Sequence, residues 1–105
     1  MKIPSVILND NIQIPAVGFG VFKIPADGST YKAVREAISI GYRHLDTATA
    51  YFNEADVGQA IKDSGLSRND IWITSKLWLQ DYAYKDATYA IDTSLQKLNL
   101  DYMDL

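Results

Sequence analysis

Hydrophobic and polar positions divide the chain into short apolar runs and longer segments with a helical period. The first two runs, residues 5–8 and 12–14, flank the turn-forming residues 9–11. Two short apolar runs around such a turn predict a β-hairpin, and Pro15 limits how far its second arm extends as a ladder strand. We therefore expect a hairpin ahead of the main repeat.

Four later apolar runs predict strands at residues 16–20, 42–46, 71–74 and 102–105. Their pattern begins near positions 17, 43, 71 and 102, at intervals of 26, 28 and 31 residues. An interval of this size is close to one strand–helix unit.

The segments between these strands carry apolar residues at three- and four-residue steps, which predicts amphipathic helices. The first helix is expected from Ser29 or Thr30 to Gly41, and the second from an Asn53 cap through Ser64. The predicted buried positions of the three helices are Val34, Ala37, Ile38, Val57, Ala60, Ile61, Ala87, Ile91, Leu95 and Leu98.

Alternation of strands and helices predicts an α/β fold with right-handed crossovers and a parallel sheet. An open doubly wound sheet and a closed (β/α)8 barrel both use this unit, and the rhythm alone leaves both open. The chain holds three and a half units and stops inside the strand pattern of residues 102–105, whereas a barrel needs about 250 residues. We interpret residues 1–105 as the N-terminal part of a longer or truncated polypeptide.

Composition narrows the classes of function. The 105 residues carry 10 Lys and Arg against 13 Asp and Glu, with no basic run, which argues against a nucleic-acid partner. The chain has no cysteine and one histidine, so we expect no disulfide, thiolate nucleophile or metal site. No apolar run reaches the length of a membrane span, and no signal peptide follows Met1. These features predict a cytoplasmic protein with no membrane partner.

Ionisable side chains follow two of the predicted strands, at the edge where parallel α/β folds bind ligands. Asp46 ends the second strand, Tyr51 follows it, and Lys76 lies just beyond the third. Neighbouring strands are about 5 Å apart, so Asp46 and Lys76 are within reach of each other. Positive charge beside a phenol favours the phenolate, which makes the phenol a general acid usable near neutral pH.

Simpler interpretations stay open from the residues alone. Asp46 would serve equally as a loop or helix cap, Tyr51 is one of seven tyrosines, and Lys76 is an ordinary solvated lysine by default. His44 lies inside the second strand and is interpreted as a hydrogen-bonded core histidine. The residues by themselves therefore indicate no more than an acid–base site in an α/β enzyme.

Two other features have a structural and a functional interpretation. Gly18 and Gly20 lack the third glycine of a dinucleotide fingerprint, so they are expected to allow close backbone packing or approach to a ligand. Trp78 lies beyond the third strand, where it either lines a pocket or packs against the fold.

Longer stretches of the sequence resemble the aldo-keto reductase family. Residues 41–54 read GYRHLDTATAYFNE, which matches the family signature GYRHxDTAxxYxNE almost residue for residue. Residues 73–78 resemble the family's lysine segment, and residues 93–105 resemble the helix and strand before its catalytic histidine. The resemblance covers essentially the whole chain and is closest to bacterial reductases of the diketogluconate and glyoxal reductase kind.

The resemblance implies an enzyme built on a (β/α)8 barrel whose floor is closed by an N-terminal hairpin. It implies reduction of small aldehydes and ketones with a nicotinamide cofactor, usually NADPH, although NADH is also compatible. By position in the signature, Tyr51 would donate the proton to the carbonyl oxygen, Lys76 would assist Tyr51, and Asp46 would pair with Lys76.

The resemblance also implies a cofactor loop and a carbonyl pocket. Val21 stands where many members of the family have threonine, and Phe22 and Trp78 match aromatic positions that line the carbonyl pocket. The residues implied in cofactor binding are Gly20, Val21, Phe22, Lys23 and Asp46.

The family's fourth catalytic residue, a histidine, would follow just beyond Leu105, together with the later strands. We therefore expect residues 1–105 alone to be inactive and the complete chain to be an enzyme. The alternative is a non-catalytic half-barrel that self-associates through its open edges. The sequence leaves the oligomeric state open.

Overall fold

The computed structural model describes residues 2–105. It begins with an antiparallel hairpin of two short strands, β1 (Ser5–Ile7) and β2 (Gln13–Pro15). Val6 faces Ile14 across the pair, and the amide of Leu8 donates to the carbonyl of Ile12 at 2.8 Å to close the turn. The predicted hairpin is confirmed.

Three further strands form one parallel sheet, which confirms the α/β prediction. They are β3 (Phe19–Gly20), β4 (His44–Asp46) and β5 (Trp72–Thr74), in the order β3-β4-β5. Each strand is shorter than its apolar run. The register aligns their last residues, because Gly20 pairs with Asp46 and Asp46 pairs with Thr74.

Three helices connect and follow these strands: α1 (Ser29–Ser39), α2 (Glu54–Ser64) and α3 (Tyr84–Leu98). Short 3-10 turns at Thr49–Tyr51, Arg68–Asp70 and Leu79–Asp81 lie in the connections. Among the residues that the structure describes, no helix has the length and apolar character to cross a bilayer.

The hydrophobic core lies between the sheet and the helices. Leu45 and Ile73 are side by side in the sheet and fully buried. Because side chains alternate across a strand, their neighbours His44 and Trp72 point to the opposite face. The core cluster on the helix side consists of Val21, Val34, Ile38, Leu45, Val57, Ala60, Ile61, Ile71, Ile73 and Leu98.

The buried face of α3 differs from the prediction. Leu98 is buried as predicted, but the other buried residues are Ala90 and Ser94. Of the remaining predicted positions, Ala87 and Leu95 are half-buried and Ile91 is 42% exposed. The reason is the close approach of α3 to α2, which brings the Leu98 backbone against Gly58. Ile91 instead lines an apolar hollow beside the last residues of the chain.

Residues 102–105 do not form the predicted fourth strand, although they lie beside β5. The amide of Asp104 donates to the carbonyl of Ile73 at 3.1 Å, and the amide of Ser75 donates to that of Leu105 at 3.0 Å. The amide of Ile73, however, donates to the Asp104 side chain at 2.8 Å. Arg68 binds that same carboxylate and the carbonyl of Tyr102. Side chains therefore replace part of the backbone ladder.

His44 joins β4 to β5 on the face away from the helices. Its Nε2 lies 2.9 Å from the hydroxyl of Thr74, so the predicted hydrogen-bonded role is confirmed, although the residue is half-buried. A Cβ atom at Gly18 would lie 3.0 Å from Nδ1 of His44, so Gly18 permits the close packing that was one of its predicted roles. Burial lowers the pKa of His44 more than the nearby carboxylates of Asp46 and Asp104 raise it.

We expect His44 to make the fold less stable in mild acid. In the unfolded chain His44 gains its proton near its ordinary pKa of 6.5, whereas the folded chain resists protonation. The unfolded state therefore binds more protons as pH falls below that value, which lowers the free energy of unfolding. The free energy of unfolding, measured with urea at pH 7 and at pH 5, should fall more between these pH values for the natural chain than for His44→Gln. Equal losses in both chains would contradict this assignment.

Substitution of Gly58 should destabilise the contact between α2 and α3. A Cβ atom at Gly58 would lie 2.3 Å from the carbonyl oxygen of Leu98, and 2.6 and 2.7 Å from two other backbone atoms of Leu98. The backbone at Leu98 would have to move to make room for this atom. We therefore expect Gly58→Ala to lower the free energy of unfolding, measured with denaturant, by about 1–3 kcal/mol, although alanine has the better helix propensity. Gly20→Ala is the matched control, because a Cβ atom there would meet nothing within 4 Å.

Candidate active site

The parallel register brings three strand ends to one edge of the sheet. Asp46 is the last residue of β4, and Lys76 lies two residues beyond the end of β5. The backbone continues the alignment past the strands, since the amide of Thr47 donates to the carbonyl of Thr74 at 2.9 Å. Side chains that follow these strands therefore converge above the sheet.

The ammonium of Lys76 lies at the centre of this group. It donates hydrogen bonds to a carboxylate oxygen of Asp46, to the carbonyl of Thr47 at 2.9 Å and to the phenol oxygen of Tyr51 at 3.4 Å. The two charged side chains are 45% and 37% exposed, so the pair borders solvent. The three residues predicted to form an acid–base site are thus in contact in the structure.

Several effects act on the pKa of Lys76. Partial burial lowers it, but the hydrogen bonds to Asp46 and Tyr51 and the charge of Asp46 outweigh that effect. The net result is a pKa raised above the ordinary value of 10.5, so Lys76 carries its positive charge at neutral pH. A permanent cation therefore lies beside the phenol oxygen.

Tyr51 reaches this position from the 3-10 turn that follows β4. The turn is anchored to the segment that follows β5, because the amide of Thr49 donates to the carbonyl of Lys76 at 3.3 Å. The ring of Tyr51 lies 5.1 Å from the ring of Phe22, at an angle of 39°. Both rings, with Trp78, line a cleft of about 310 Å³. Trp78 therefore lines a pocket, one of its two predicted positions.

The residues of the predicted cofactor loop have different surroundings. Gly20 faces open space, and the exposed side chain of Lys23 lies over Phe22 with its Nζ 5.4 Å from the ring centroid. Open space beside Gly20 and the exposed cation of Lys23 offer room and positive charge to an anionic ligand. Asp46 is engaged by Lys76.

Val21 is a core residue in the structure, and its predicted contact with a cofactor stays a prediction. Its side chain is fully buried in the helix-side cluster. Its amide donates to the carbonyl of Asp46, and its own carbonyl accepts from Ile24 and from Asn53. Both backbone polar groups of Val21 are therefore hydrogen-bonded within the protein.

Asn53 has a different role from the predicted helix cap. It occupies the position before α2, but its side chain makes no capping hydrogen bond. It is 1% exposed and binds the loop after β3 and the hydroxyl of Thr47 instead. These tertiary hydrogen bonds form in place of a helix cap because the Asn53 side chain satisfies several buried polar groups at once.

Glu54 is a second residue whose position was not predicted. Its carboxylate is 2% exposed and accepts hydrogen bonds from Ser75 at 2.8 Å and from Ser94 at 3.1 Å. It thereby joins α2 to the segment that carries Lys76. A signal was available, because Asn53 and Glu54 precede Val57 by four and three residues and so share its buried helical face.

The arrangement supports proton transfer at the phenol oxygen of Tyr51. A fixed ammonium stabilises negative charge on that oxygen as a proton leaves it. The aromatic cleft beside it offers an apolar surface for a small organic molecule. Both features lie at the edge of the sheet where α/β folds bind ligands.

Comparison with known proteins gives consistent matches. The Aldo/keto reductase family model matches residues 16–105. Over 101 residues the chain is 43% identical to glyoxal reductase of Bacillus subtilis, covering 96% of this chain and 37% of that protein. The chain therefore spans about a third of the length of the curated relatives it matches, from 30% to 38%.

Solved structures agree with the sequence matches. An aldo/keto reductase from Brucella melitensis has a TM-score of 0.91 and 50% identity, with 96% of this chain and 39% of that chain covered. A Bombyx mori aldo-keto reductase in complex with NADP has a TM-score of 0.90 and 36% identity, with 98% and 36% covered. This chain belongs to the aldo/keto reductase family.

Proposed function

We propose that this chain supplies the proton-donating part of an enzyme that reduces small aldehydes and ketones to alcohols with NADPH, NADH being the less favoured cofactor. In the complete enzyme, which is the full-length polypeptide that contains residues 1–105, these residues form the N-terminal part of a single (β/α)8 barrel domain. The observation that carries the proposal is the contact of the Lys76 ammonium with both Asp46 and the Tyr51 phenol.

Each residue has a defined part in the proposed reaction. Tyr51 donates its proton to the carbonyl oxygen, and Lys76 stabilises the phenolate that remains. Asp46, together with the carbonyl of Thr47, fixes the ammonium so that it does not swing into solvent. The nicotinamide cofactor, when bound, supplies the hydride.

The cleft and its loop would provide binding. Phe22 and Trp78, which line the same cleft as Tyr51, would offer aromatic surface to the organic part of the substrate. Gly20 and Lys23 would hold the cofactor, Gly20 by leaving room and Lys23 by its charge. The Bombyx mori relative in complex with NADP and the glyoxal reductase of Bacillus subtilis support this choice of cofactor and substrate class.

Replacement of the phenol should remove most turnover. We expect Tyr51→Phe to lower kcat of the complete enzyme by roughly 100-fold or more with methylglyoxal, since general acid catalysis is lost. Cofactor affinity, measured by quenching of protein fluorescence with NADPH, should stay within about twofold because the loop at residues 20–23 is intact. Tyr89→Phe is the matched control, because Tyr89 lies on the exposed side of α3. Wild-type turnover in Tyr51→Phe would show that the proton comes from another group.

A second candidate function is a self-associating half-barrel without catalysis. It is favoured by apolar side chains that remain at the surface, such as Val6 and Ile7 of the hairpin, which are 51% and 66% exposed. Such side chains are available to pack against a second copy.

The two candidates give different results for the 105-residue chain. We expect it to show no NADPH oxidation with methylglyoxal, while the complete enzyme turns over, because most of the cofactor's binding surface lies in the rest of the barrel. Sedimentation analysis of the short chain is run beside the assay. A monodisperse dimer together with an inactive complete chain favours the half-barrel. Turnover by the short chain would refute its proposed dependence on further barrel strands.

A further inference from the structure

A four-residue turn carries Phe22 over the Tyr51 ring. The amide of Ile24 donates to the carbonyl of Val21 at 3.2 Å, so Phe22 and Lys23 are the two central residues of the turn. Lys23 has a φ of 63°, in the left-handed region that a lysine rarely adopts. A backbone of this kind persists only where surrounding contacts enforce it.

The enforcing contact is the side-chain amide of Asn53. Its Nδ2 donates to the carbonyl of Val21 at 3.0 Å and to that of Ile24 at 3.2 Å, which are the first and last residues of the turn. The hydroxyl of Thr30, 3.4 Å from the same Nδ2, also donates to the carbonyl of Ile24 at 3.0 Å. One buried amide therefore holds both ends of the turn.

The other end of the same amide contacts Thr47, the residue that follows β4. Oδ1 of Asn53 accepts a hydrogen bond from the hydroxyl of Thr47 at 3.1 Å. The carbonyl of Thr47 in turn accepts from Lys76. Asn53 thus links the Phe22 turn to the backbone that holds the ammonium, and its own position immediately follows Phe52, whose φ of 55° is also left-handed.

We propose that Asn53 is a positioning residue that sets where Phe22 stands over Tyr51, and thereby how tightly the cleft holds an aromatic carbonyl compound. This inference rests on the proposed function of the same site. Phe22 is 64% exposed, so few contacts of its own ring fix it. Its place beside Tyr51 depends on the turn, and the turn depends on the amide of Asn53.

To hold the Phe22 turn, residue 53 needs a side chain that donates hydrogen bonds. Asn53→Asp keeps an oxygen for Thr47 but replaces the two N–H donors by an oxygen that repels the carbonyls of Val21 and Ile24. The variant therefore releases the turn and retains the link to Thr47. Asn53→Ser is a second, uncharged variant that cannot reach both carbonyls, and it serves if the buried carboxylate prevents folding.

The experiment measures binding of benzaldehyde to the complete enzyme, with methylglyoxal as the small comparison substrate. The dissociation constant comes from quenching of Trp78 fluorescence, in a background whose other tryptophans are replaced by phenylalanine, and KM and the pH profile of kcat are measured in parallel. We expect Asn53→Asp to weaken benzaldehyde binding about fivefold, the size of one aromatic contact, to raise the KM for methylglyoxal by a clearly smaller factor, and to leave the pH profile of kcat unchanged.

A double-mutant cycle with Phe22→Ala separates positioning from general damage. If Asn53 acts through Phe22, Asn53→Asp in the Phe22→Ala background should change benzaldehyde binding by less than about twofold. Asn69→Asp makes the same chemical change at an exposed residue before β5 and should leave binding unchanged. Thermal unfolding of each variant confirms that it is folded.

Three results would overturn the inference. The first is that Asn53→Asp and Phe22→Ala weaken benzaldehyde binding independently, so that their effects multiply in the double variant. The second is that Asn53→Asp impairs methylglyoxal, by its KM, as much as benzaldehyde. The third is a shifted pH profile of kcat with unchanged binding. Failure of the proposed function gives a different result: the complete enzyme shows no turnover, or Tyr51→Phe keeps full turnover. In either case the double-mutant cycle can still be measured by fluorescence, so the two failures are distinguishable.

Discussion

A lysine ammonium held between a carboxylate and a phenol is the contact on which the rest of the site depends. Lys76 reaches Asp46, the carbonyl of Thr47 and Tyr51 from the segment that follows β5. A flexible lysine side chain adopts one position only where fixed acceptors surround it. The parallel register of β4 and β5 supplies those acceptors at one height above the sheet, so sheet geometry determines the electrostatics of the phenol.

Buried polar side chains transmit this geometry from the sheet to the surrounding loops. Asn53 binds the turn after β3, and Glu54 binds Ser75 beside Lys76 and Ser94 on α3. Both belong to the start of α2, immediately after the turn that carries Tyr51. A short segment therefore combines the reactive phenol with the groups that hold its neighbours. Polar groups buried in this way are specific because each unsatisfied partner would be costly.

Loop positions above the sheet divide between packing and binding. Val21 turns inward and completes the core, whereas the next residue, Phe22, turns outward and lines the cleft. This alternation continues the strand pattern past the last ladder residue of β3. The same loop thus anchors itself by one side chain and presents the next to a ligand, which explains why a contiguous stretch of sequence is not a contiguous binding surface.

The sequence by itself determined the hairpin, the strand–helix order and the edge of the sheet where Asp46, Tyr51 and Lys76 meet, because periodicity and strand direction are local properties. It also determined the family, through the signature at residues 41–54. Only the tertiary structure decided that Val21 is buried, that α3 packs through Ala90 and Ser94 as well as the predicted Leu98, and that side chains interrupt the ladder at residues 102–105. Only the tertiary structure also decided that the Asn53 side chain binds the turn after β3 and does not cap α2. These outcomes depend on which distant backbone groups need partners, and that need arises only once the elements have packed together.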